Sequence, residues 1–193
     1  MSDENVWSTA EVRRALLLAH PSLRAAASAI GVSPRTLQRW LSSVNAPTPE
    51  HAAALRAAML PAPDVLRRQE DELGLARHAA GRMGVTVSRL PATWRQRRWH
   101  EPHTLRVVTH AGLGVSRPVI TRSGHRPELG RGWVVDDSRE LPHHPAAVIV
   151  RSLLLADMAA RRVQVRKKLL AKGGSTCWLS AKTPPLASYD WDA

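Results

Sequence analysis

The segment AIGVSPRTLQRW, residues 29–40, combines the end of one helix with the start of the next. Gly31 suits the left-handed backbone that closes a helix, because glycine has no Cβ to clash there. Ser33 is a favoured N-cap, and Pro34 follows at the first helical position, where proline is well tolerated. Two helices joined by so short a glycine turn are typical of a helix-turn-helix.

The residues around this turn form one apolar face and one polar face. The apolar positions at helical spacing are Leu23, Ala26, Ala27, Ile30, Leu37, Trp40, Leu41 and Val44. Arg35, Gln38 and Arg39 fall on the opposite face of a helix predicted over residues 34–43. In the major groove arginine pairs with guanine and glutamine with adenine. The segment therefore predicts a DNA-reading helix; the alternative is a structural three-helix bundle whose polar face is only solvated.

The start of this helix adds further expected DNA contacts. Ser33, Pro34 and Thr36 lie at its first turn, where the helix dipole favours a phosphate and hydroxyl groups reach phosphates or bases. Upstream, Ser8 and Glu11 have the spacing of a capping box and predict a first helix. A fourth helix is predicted to start at Thr48. We therefore expect a helix-turn-helix domain over residues 1–60.

The sequence after a short Pro-Ala-Pro linker at 61–63 predicts a second domain over residues 64–193. Within it, ARHAAGRMGVTVSRL (76–90) matches LRAAASAIGVSPRTL (23–37) at six of fifteen positions without a gap. The match predicts a second helix-turn-helix, with Ser88 and Arg89 at its exposed start. Pro91 departs from the pattern because it ends or kinks a helix. A plain core helix pair, followed by a new helix from residues 91–93, remains the alternative.

The densest basic cluster is TWRQRRWH, residues 93–100. Arg95, Arg97 and Arg98 lie between two tryptophans, a combination that suits a phosphate backbone or a groove edge. The alternative is a solvated basic helix whose two tryptophans belong to the core. We expect these three arginines to contact DNA.

The remaining segments predict the fold class. Residues 104–135 contain short runs rich in Val, Ile and Thr, which predict a small sheet or extended loops. A long helix is predicted over roughly 145–171, closed by Gly173 and Gly174. Its basic end, RRVQVRKKLLAK, is either another DNA contact or a complement to the helix C-terminus. The tail with Pro184 and Pro185 is expected to be loosely ordered; the alternative is that Trp178 and Trp191 dock it. The fold class is therefore mainly α: an N-terminal helix-turn-helix domain and a second, mostly helical basic domain with a long C-terminal helix and a few short strands.

Charge indicates the class of partner. The 193 residues carry 28 Lys and Arg against 16 Asp and Glu, a net charge of +12. A balance this basic favours a polyanion, and double-stranded DNA comes first. Residues 1–60 hold six Arg against four acids, a net charge of +2, and residues 61–193 hold 22 basic against 12 acidic residues, a net charge of +10. The recognisable motif therefore lies in the less basic part of the sequence.

Other function classes are less well supported by the sequence. No apolar run approaches the ~20 residues of a membrane span, and MSDENVWSTAE is too polar for a signal peptide. Cys177 is the only cysteine and the nine histidines lack zinc-site spacing, so neither metal nor cofactor is expected. The acids Asp136, Asp137 and Glu140, and Tyr189, could belong to a nuclease or recombinase, but no matching catalytic set accompanies them. We expect a soluble protein of a reducing compartment that is not an enzyme.

The chain resembles the immunity repressors of temperate mycobacteriophages. The shared features are its length, its basic charge, a composition rich in Ala, Arg and Trp and poor in Phe, and the early motif AAASAIGVSPRTLQRWL. The resemblance implies a repressor in the bacterial host cytoplasm that shuts off early lytic transcription, maintains lysogeny and confers superinfection immunity. It also implies binding at many dispersed asymmetric sites, the stoperators, where elongating transcription is blocked. The family's base-reading helix falls on residues 33–40 here.

One recognition helix reads only about 4–6 base pairs. Since no zipper or other dimer module is evident, we expect a monomer that uses its two domains on an asymmetric operator or stoperator. Two other classes remain as alternatives. One is a phage DNA-architectural or packaging factor, of the excisionase or small terminase subunit type. The other is the DNA-binding accessory part of a recombinase.

Overall fold

A computed structural model of the chain describes residues 7–84, 86–170, 174–180 and 183–192. Its helices are α1 Thr9–Ala19, α2 Leu23–Ile30, α3 Pro34–Trp40, α4 Pro49–Ala57, α5 Pro63–Ala80, α6 Ala92–Gln96 and α7 His144–Asp157. Its strands are β1 His103–His110, β2 Val115–Arg122, β3 Trp133–Leu141, β4 Arg162–Val165 and β5 Gly174–Leu179. No helix in these ranges is long and apolar enough to cross a membrane.

The fold class is α+β, so the expectation of a mainly α chain is wrong. The largest error lies in the long helix predicted over 145–171, because α7 ends at Asp157 and residues 162–165 form a strand. The sequence RVQV explains the difference, since its two β-branched valines alternate with polar residues and are both fully buried. Ala171 and Gly173, at the predicted helix end, lie outside the described residues, as do the polar N-terminal residues 1–6.

The chain divides into two compact units. The first unit consists of Met1–Ala62 with Ala160–Leu179, and the second unit of Pro63–Ala159 with Ser180–Ala193. The predicted domains were instead two continuous stretches, 1–60 and 64–193, joined at 61–63. A late segment of about twenty residues thus belongs to the same unit as the predicted helix-turn-helix.

Local sequence signals explain the helices of the first unit. Ser8 and Glu11 form the predicted capping box, in which the Ser8 side chain accepts the Glu11 backbone N–H and the Glu11 carboxylate accepts the Ser8 backbone N–H. Ser22, Ser33 and Thr48 cap α2, α3 and α4 in turn. The fully buried side chains of these helices are Ala15, Leu16, Ala26, Ala27 and Leu37. They supply the apolar face that the helical spacing predicts.

Residues 160–179 complete this unit with an antiparallel pair, β4 and β5. The Trp7 indole N–H donates to the Ala160 carbonyl at 2.8 Å, and the Gln164 backbone N–H donates to the Met59 carbonyl at 2.7 Å. Arg161 forms an ion pair with Glu11. Trp178 of β5 is completely buried. The Trp7–Ala160, Met59–Gln164 and Glu11–Arg161 contacts each join residues more than one hundred positions apart in the sequence.

The second unit packs helices against a three-stranded antiparallel arrangement in which β1 pairs with both β2 and β3. These strands confirm the sheet expected within 104–135 and extend it to Leu141. Helix α5 packs on α7 through a buried cluster of Ala76, Val148 and Ile149. Helix α7 supplies the largest buried apolar stretch of the unit, from Pro145 to Val150.

The described part of the C-terminal tail is held in place, so the expectation of a loose segment is wrong there, and Trp191 packs against the Ala76, Val148 and Ile149 cluster as the docking alternative holds. The Leu186 backbone N–H donates to the Asp137 carboxylate at 2.7 Å, and the Arg139 guanidinium donates to the Leu186 carbonyl at 2.9 Å. The Tyr189 hydroxyl donates to the Asp157 carboxylate at 2.7 Å. Burial raises the pKa of Tyr189, as does that hydrogen bond. Tyr189 and Asp137 therefore have structural roles that the sequence does not reveal.

The Glu11–Arg161 pair tests how strongly the late segment stabilises the first unit. Their side chains are only 28% and 16% exposed, so solvent screens the pair less than it screens a surface ion pair. A double-mutant cycle of Glu11→Gln and Arg161→Met is expected to give a coupling energy of about 1–2 kcal/mol in urea unfolding.

The matched control is the Asp64–Arg68 pair, whose side chains are 61% and 71% exposed. Asp64→Asn and Arg68→Met should couple by less than about 0.5 kcal/mol. Equal coupling energies in the two cycles would show that the Glu11–Arg161 contact adds nothing special to the first unit.

Candidate nucleic-acid interface

The turn between α2 and α3 has the geometry that its sequence predicts. Gly31 has φ +82°, in the left-handed region, and its backbone N–H points back to the Ala27 and Ser28 carbonyls. The Val32 N–H also donates to the Ala27 carbonyl, at 3.0 Å. These bonds satisfy the last carbonyls of α2 and redirect the chain into α3. The relative position of the two helices is thus fixed by the backbone itself.

Helix α3 presents the predicted polar face to solvent. Arg35, Gln38 and Arg39 are exposed, while Leu37 between them is fully buried against the unit's core. Helix α3 contains no acidic residue. Three long side chains, two cationic and one amide, therefore project from a helix whose opposite side is anchored. This arrangement provides donors for base edges and cations for phosphates.

The residues at the start of α3 have a structural role in the free protein. The Ser33 hydroxyl accepts the Thr36 backbone N–H at 3.0 Å and lies 2.8 Å from the Thr36 hydroxyl. Pro34 occupies the first turn, where its missing N–H costs nothing. Ser33 thus caps α3, and its hydroxyl also pairs with that of Thr36. A DNA contact would use the remaining hydrogen-bonding capacity of the two hydroxyls.

The end of α3 differs from the prediction. The helix was expected to reach residue 43, but it ends at Trp40, and Ser43 has φ +56°. Val44 was placed on the apolar face, yet 65% of it is exposed. The Ser42 hydroxyl donates to the Gln38 carbonyl at 2.9 Å, a local bond that competes with helix continuation. The exposed polar face of α3 is therefore short, about two turns of helix.

The second unit does not form a second recognition helix where the repeat predicts one. Helix α5 ends at Ala80, and the segment equivalent to α3 is only a 3₁₀ turn, Val87–Arg89. Ser88 and Arg89 are exposed on that turn, and Val85 lies outside the described residues. Pro91 stops the turn and precedes α6, as the alternative interpretation holds. Residues 76–90 therefore match residues 23–37 in sequence, but of the two helices only the first is shared.

The basic segment around α6 combines buried aromatics with exposed arginines. Trp94 and Trp99 are half-buried and stack with ring centroids 6.0 Å apart. Arg95, Arg97 and Arg98 are all exposed, and the Arg97 guanidinium lies 5.7 Å from the Trp99 ring centroid. The tryptophans therefore anchor this segment and the arginines face solvent, and contact of these arginines with DNA stays a prediction.

Histidines hold this segment against the start of α7. The His144 ring stacks on Trp99 at 4.7 Å, and the His144 backbone N–H donates to the Trp99 carbonyl at 2.9 Å. The His143 ring accepts the Ala146 N–H and so caps α7 as a neutral imidazole. Burial lowers the pKa of His144 to about 4, assisted by His103. Burial also lowers the pKa of His103 and His143. The surroundings of these three histidines therefore favour the neutral imidazole.

The division into units changes where the positive charge lies. The first unit holds twelve Lys and Arg against four Asp and Glu, a net charge of +8. The second unit holds sixteen against twelve, a net charge of +4. The linear count of +2 and +10 missed this because it assigns the basic residues of 160–179 to the wrong part. The alternating RVQV pattern was the signal that this stretch is a strand and not the end of a helix.

Two of the three carboxylates considered for catalysis, Asp136 and Asp137, have other partners. Asp136 is the extra residue at an irregularity between β1 and β3, where its carboxylate accepts the Thr109 hydroxyl. Asp137 holds the tail through Leu186. In the part of the chain that is described, no three His, Cys, Asp or Glu side chains gather as metal ligands would.

No protein-family model, curated protein or solved structure matches this chain. The resemblance to the immunity repressors of temperate mycobacteriophages therefore stays an expectation from the sequence, based on its composition and charge and on the motif AAASAIGVSPRTLQRWL, residues 25–41.

Substitution of Gly31 should destabilise the first unit through backbone strain alone. A Cβ added at this position would have no heavy atom within 4 Å, so steric contact adds nothing. Gly31→Ala is expected to cost about 1–2 kcal/mol because of the left-handed conformation. Gly31→Asn should cost less, since asparagine tolerates this region. Urea unfolding of both variants checks the order, and an alanine variant as stable as wild type would contradict the assigned backbone geometry.

The histidine cluster predicts acid sensitivity. The folded pKa of His144 lies below its unfolded value of about 6.5, so the unfolded chain binds more protons and stability falls as pH drops from 6.5 towards 4. One histidine that is protonated only in the unfolded chain lowers the free energy of unfolding by at most about 1.4 kcal/mol per pH unit. His144→Phe keeps the stacking ring but cannot titrate. Denaturation at pH 7, 5.5 and 4.5 should therefore show a shallower loss for the variant, and parallel losses would exclude His144 as a source.

Proposed function

We propose that this protein is a sequence-specific DNA-binding protein that acts as a transcriptional repressor. The observation that carries the proposal is α3, which is anchored by buried Leu37 and exposes Arg35, Gln38 and Arg39 after a Gly31 turn. A purely structural helix pair does not need three long polar donors on one exposed face. A helix that enters the major groove does, because base edges are read by bidentate arginine and glutamine contacts.

The charge of the unit supports DNA over a protein partner. The first unit carries a net charge of +8, and Glu11 is one of its few acids. The Glu11 carboxylate is engaged by Ser8 and Arg161, so it does not offset the exposed cations of α3. Phosphate contacts supply most of the affinity of DNA-binding proteins and leave sequence choice to a few side chains.

The second unit is proposed as an additional DNA contact on the same chain. Its exposed cations around α6 are Arg95, Arg97 and Arg98, with Arg89 on the preceding turn. One α3 reads about 4–6 base pairs, which is too few for a genomic address. Two unlike units on one chain have no two-fold axis. A monomer bound to an asymmetric site therefore agrees with both the resemblance and the residues.

The biological setting is proposed from the same resemblance. The protein would act in the cytoplasm of the bacterial host, where it represses early lytic transcription, maintains lysogeny and confers superinfection immunity. Binding at dispersed stoperators would block elongating polymerase without any catalysis by the repressor. We propose no enzymatic activity, since Asp136, Asp137 and Tyr189 are engaged in hydrogen bonds within their own unit.

Selection of bound DNA from a random duplex pool tests this proposal on the full-length protein. A long asymmetric consensus is expected if both units contact one site. A palindromic consensus would contradict the monomer, and a consensus of a few base pairs would mean that the second unit only grips the backbone. A pool that yields no preferred sequence would contradict sequence-specific repression.

Variants of α3 then identify the reader. Arg35→Ala and Gln38→Ala should each relax preference at individual base pairs and cost about 1–3 kcal/mol of binding free energy. Arg56→Ala is the control, because Arg56 is exposed on α4 of the same unit and lies outside α3. It should leave the consensus unchanged. If all three variants select the wild-type consensus, α3 does not read bases.

A further inference from the structure

Residues 166–170, called the β4–β5 turn below, give the first unit a second exposed basic feature, which α3 does not include. The turn begins at Arg166, directly after β4. The Arg166 carbonyl accepts the N–H groups of Leu169 at 2.9 Å and Leu170 at 3.3 Å, and Leu170 is only 3% exposed. The backbone of this turn is therefore fixed by its own hydrogen bonds and by one buried side chain.

Arg166 fastens the turn to the end of α1. Its backbone N–H donates to the Leu18 carbonyl at 3.0 Å, and its guanidinium donates to the Leu17 carbonyl at 3.2 Å. A cation is favourable at these carbonyls because the C-terminal end of a helix carries partial negative charge. Arg166 is thus used within the protein, and it determines where the next two residues project.

Lys167 and Lys168 follow Arg166 and are exposed. Neither lysine forms an ion pair with a residue of 7–84, 86–170, 174–180 or 183–192. The acids of the first unit within those ranges are Glu11, which is engaged by Arg161, and Glu50 at the start of α4. Two adjacent ammonium groups on an anchored turn repel each other and gain from an external anion.

The attachment point places these lysines at the helix-turn-helix. Leu17 and Leu18 lie in the last turn of α1, and Ser22 caps α2 only four residues after Leu18. In a helix-turn-helix the first helix of the pair crosses the DNA backbone while the second enters the groove. The turn is therefore fixed to the end of α1 that leads into the backbone-crossing helix.

We propose that Lys167 and Lys168 form a second DNA contact of the first unit, a backbone clamp on phosphates beside the base pairs that α3 reads. This inference rests on the proposed DNA-binding function. A lysine ammonium is a compact charge on a flexible stem, which suits phosphates and does not discriminate between bases. The clamp raises affinity and salt dependence and leaves the sequence preference unchanged.

The test uses the full-length double variant Lys167→Ala/Lys168→Ala on the selected duplex over a range of salt concentrations. Loss of two phosphate contacts should lower the slope of log K against log salt by about 1–2 and weaken binding about ten- to thirtyfold near physiological salt. The selected consensus should not change. The double variant Lys167→Arg/Lys168→Arg retains both charges and should bind like wild type.

The control is Arg67→Ala/Arg68→Ala, which removes two adjacent exposed cations from α5 in the second unit. That pair is followed by the acidic run Glu70, Asp71 and Glu72, so we expect no phosphate contact there and an unchanged slope. A lysine variant whose slope and affinity match this control overturns the clamp.

The two proposals can fail separately. If wild-type protein binds no duplex with preference, DNA reading fails and the clamp fails with it. If Arg35→Ala abolishes sequence preference while the lysine-to-alanine variant keeps wild-type affinity and slope, only the clamp is overturned. If the lysine variant alters the consensus, the lysines read bases and the backbone clamp is again overturned.

Discussion

The carboxylate of Glu11 connects the two parts of the chain that make up the first unit. It accepts the Ser8 backbone N–H, which closes the capping box of α1, and it pairs with Arg161 from the other end of the sequence. The Ser8 hydrogen bond and the Arg161 guanidinium together lower the pKa of Glu11. Helix α1 makes this contact only because residues 160–166 return to it, so the first unit is assembled from two stretches far apart in the sequence.

That return determines where the charge and the candidate DNA contacts lie. Because 160–179 joins 1–62, the first unit carries a net charge of +8 and the second +4. The exposed polar face of α3 and the β4–β5 turn then belong to one unit, and Arg95, Arg97 and Arg98 to the other. Residues 1–60 are the less basic part of the linear sequence, but the compact unit that contains α2 and α3 is the more basic of the two units.

Local sequence signals are sufficient to predict most of helices α1 to α4 and the exposed polar residues of α3. Glycine at 31 and hydroxyls at 8, 22, 33 and 48 act within three or four residues, so helix starts and turns follow from the sequence alone. The strand at 162–165 could not be obtained in this way, because it packs against α1 and bonds to Met59, and both lie over one hundred residues away in the sequence. The apparent repeat at 76–90 failed for a local reason, since Pro91 leaves room only for a 3₁₀ turn.

Hydrogen–deuterium exchange of the full-length protein, free and bound to its selected duplex, tests most directly whether the first unit reads DNA as one body. If it does, DNA slows exchange in residues 33–40 of α3 and in residues 166–168 of the β4–β5 turn. Slowed exchange confined to residues 86–98, with α3 and the turn unchanged, would contradict this, because DNA would then be held by the second unit alone.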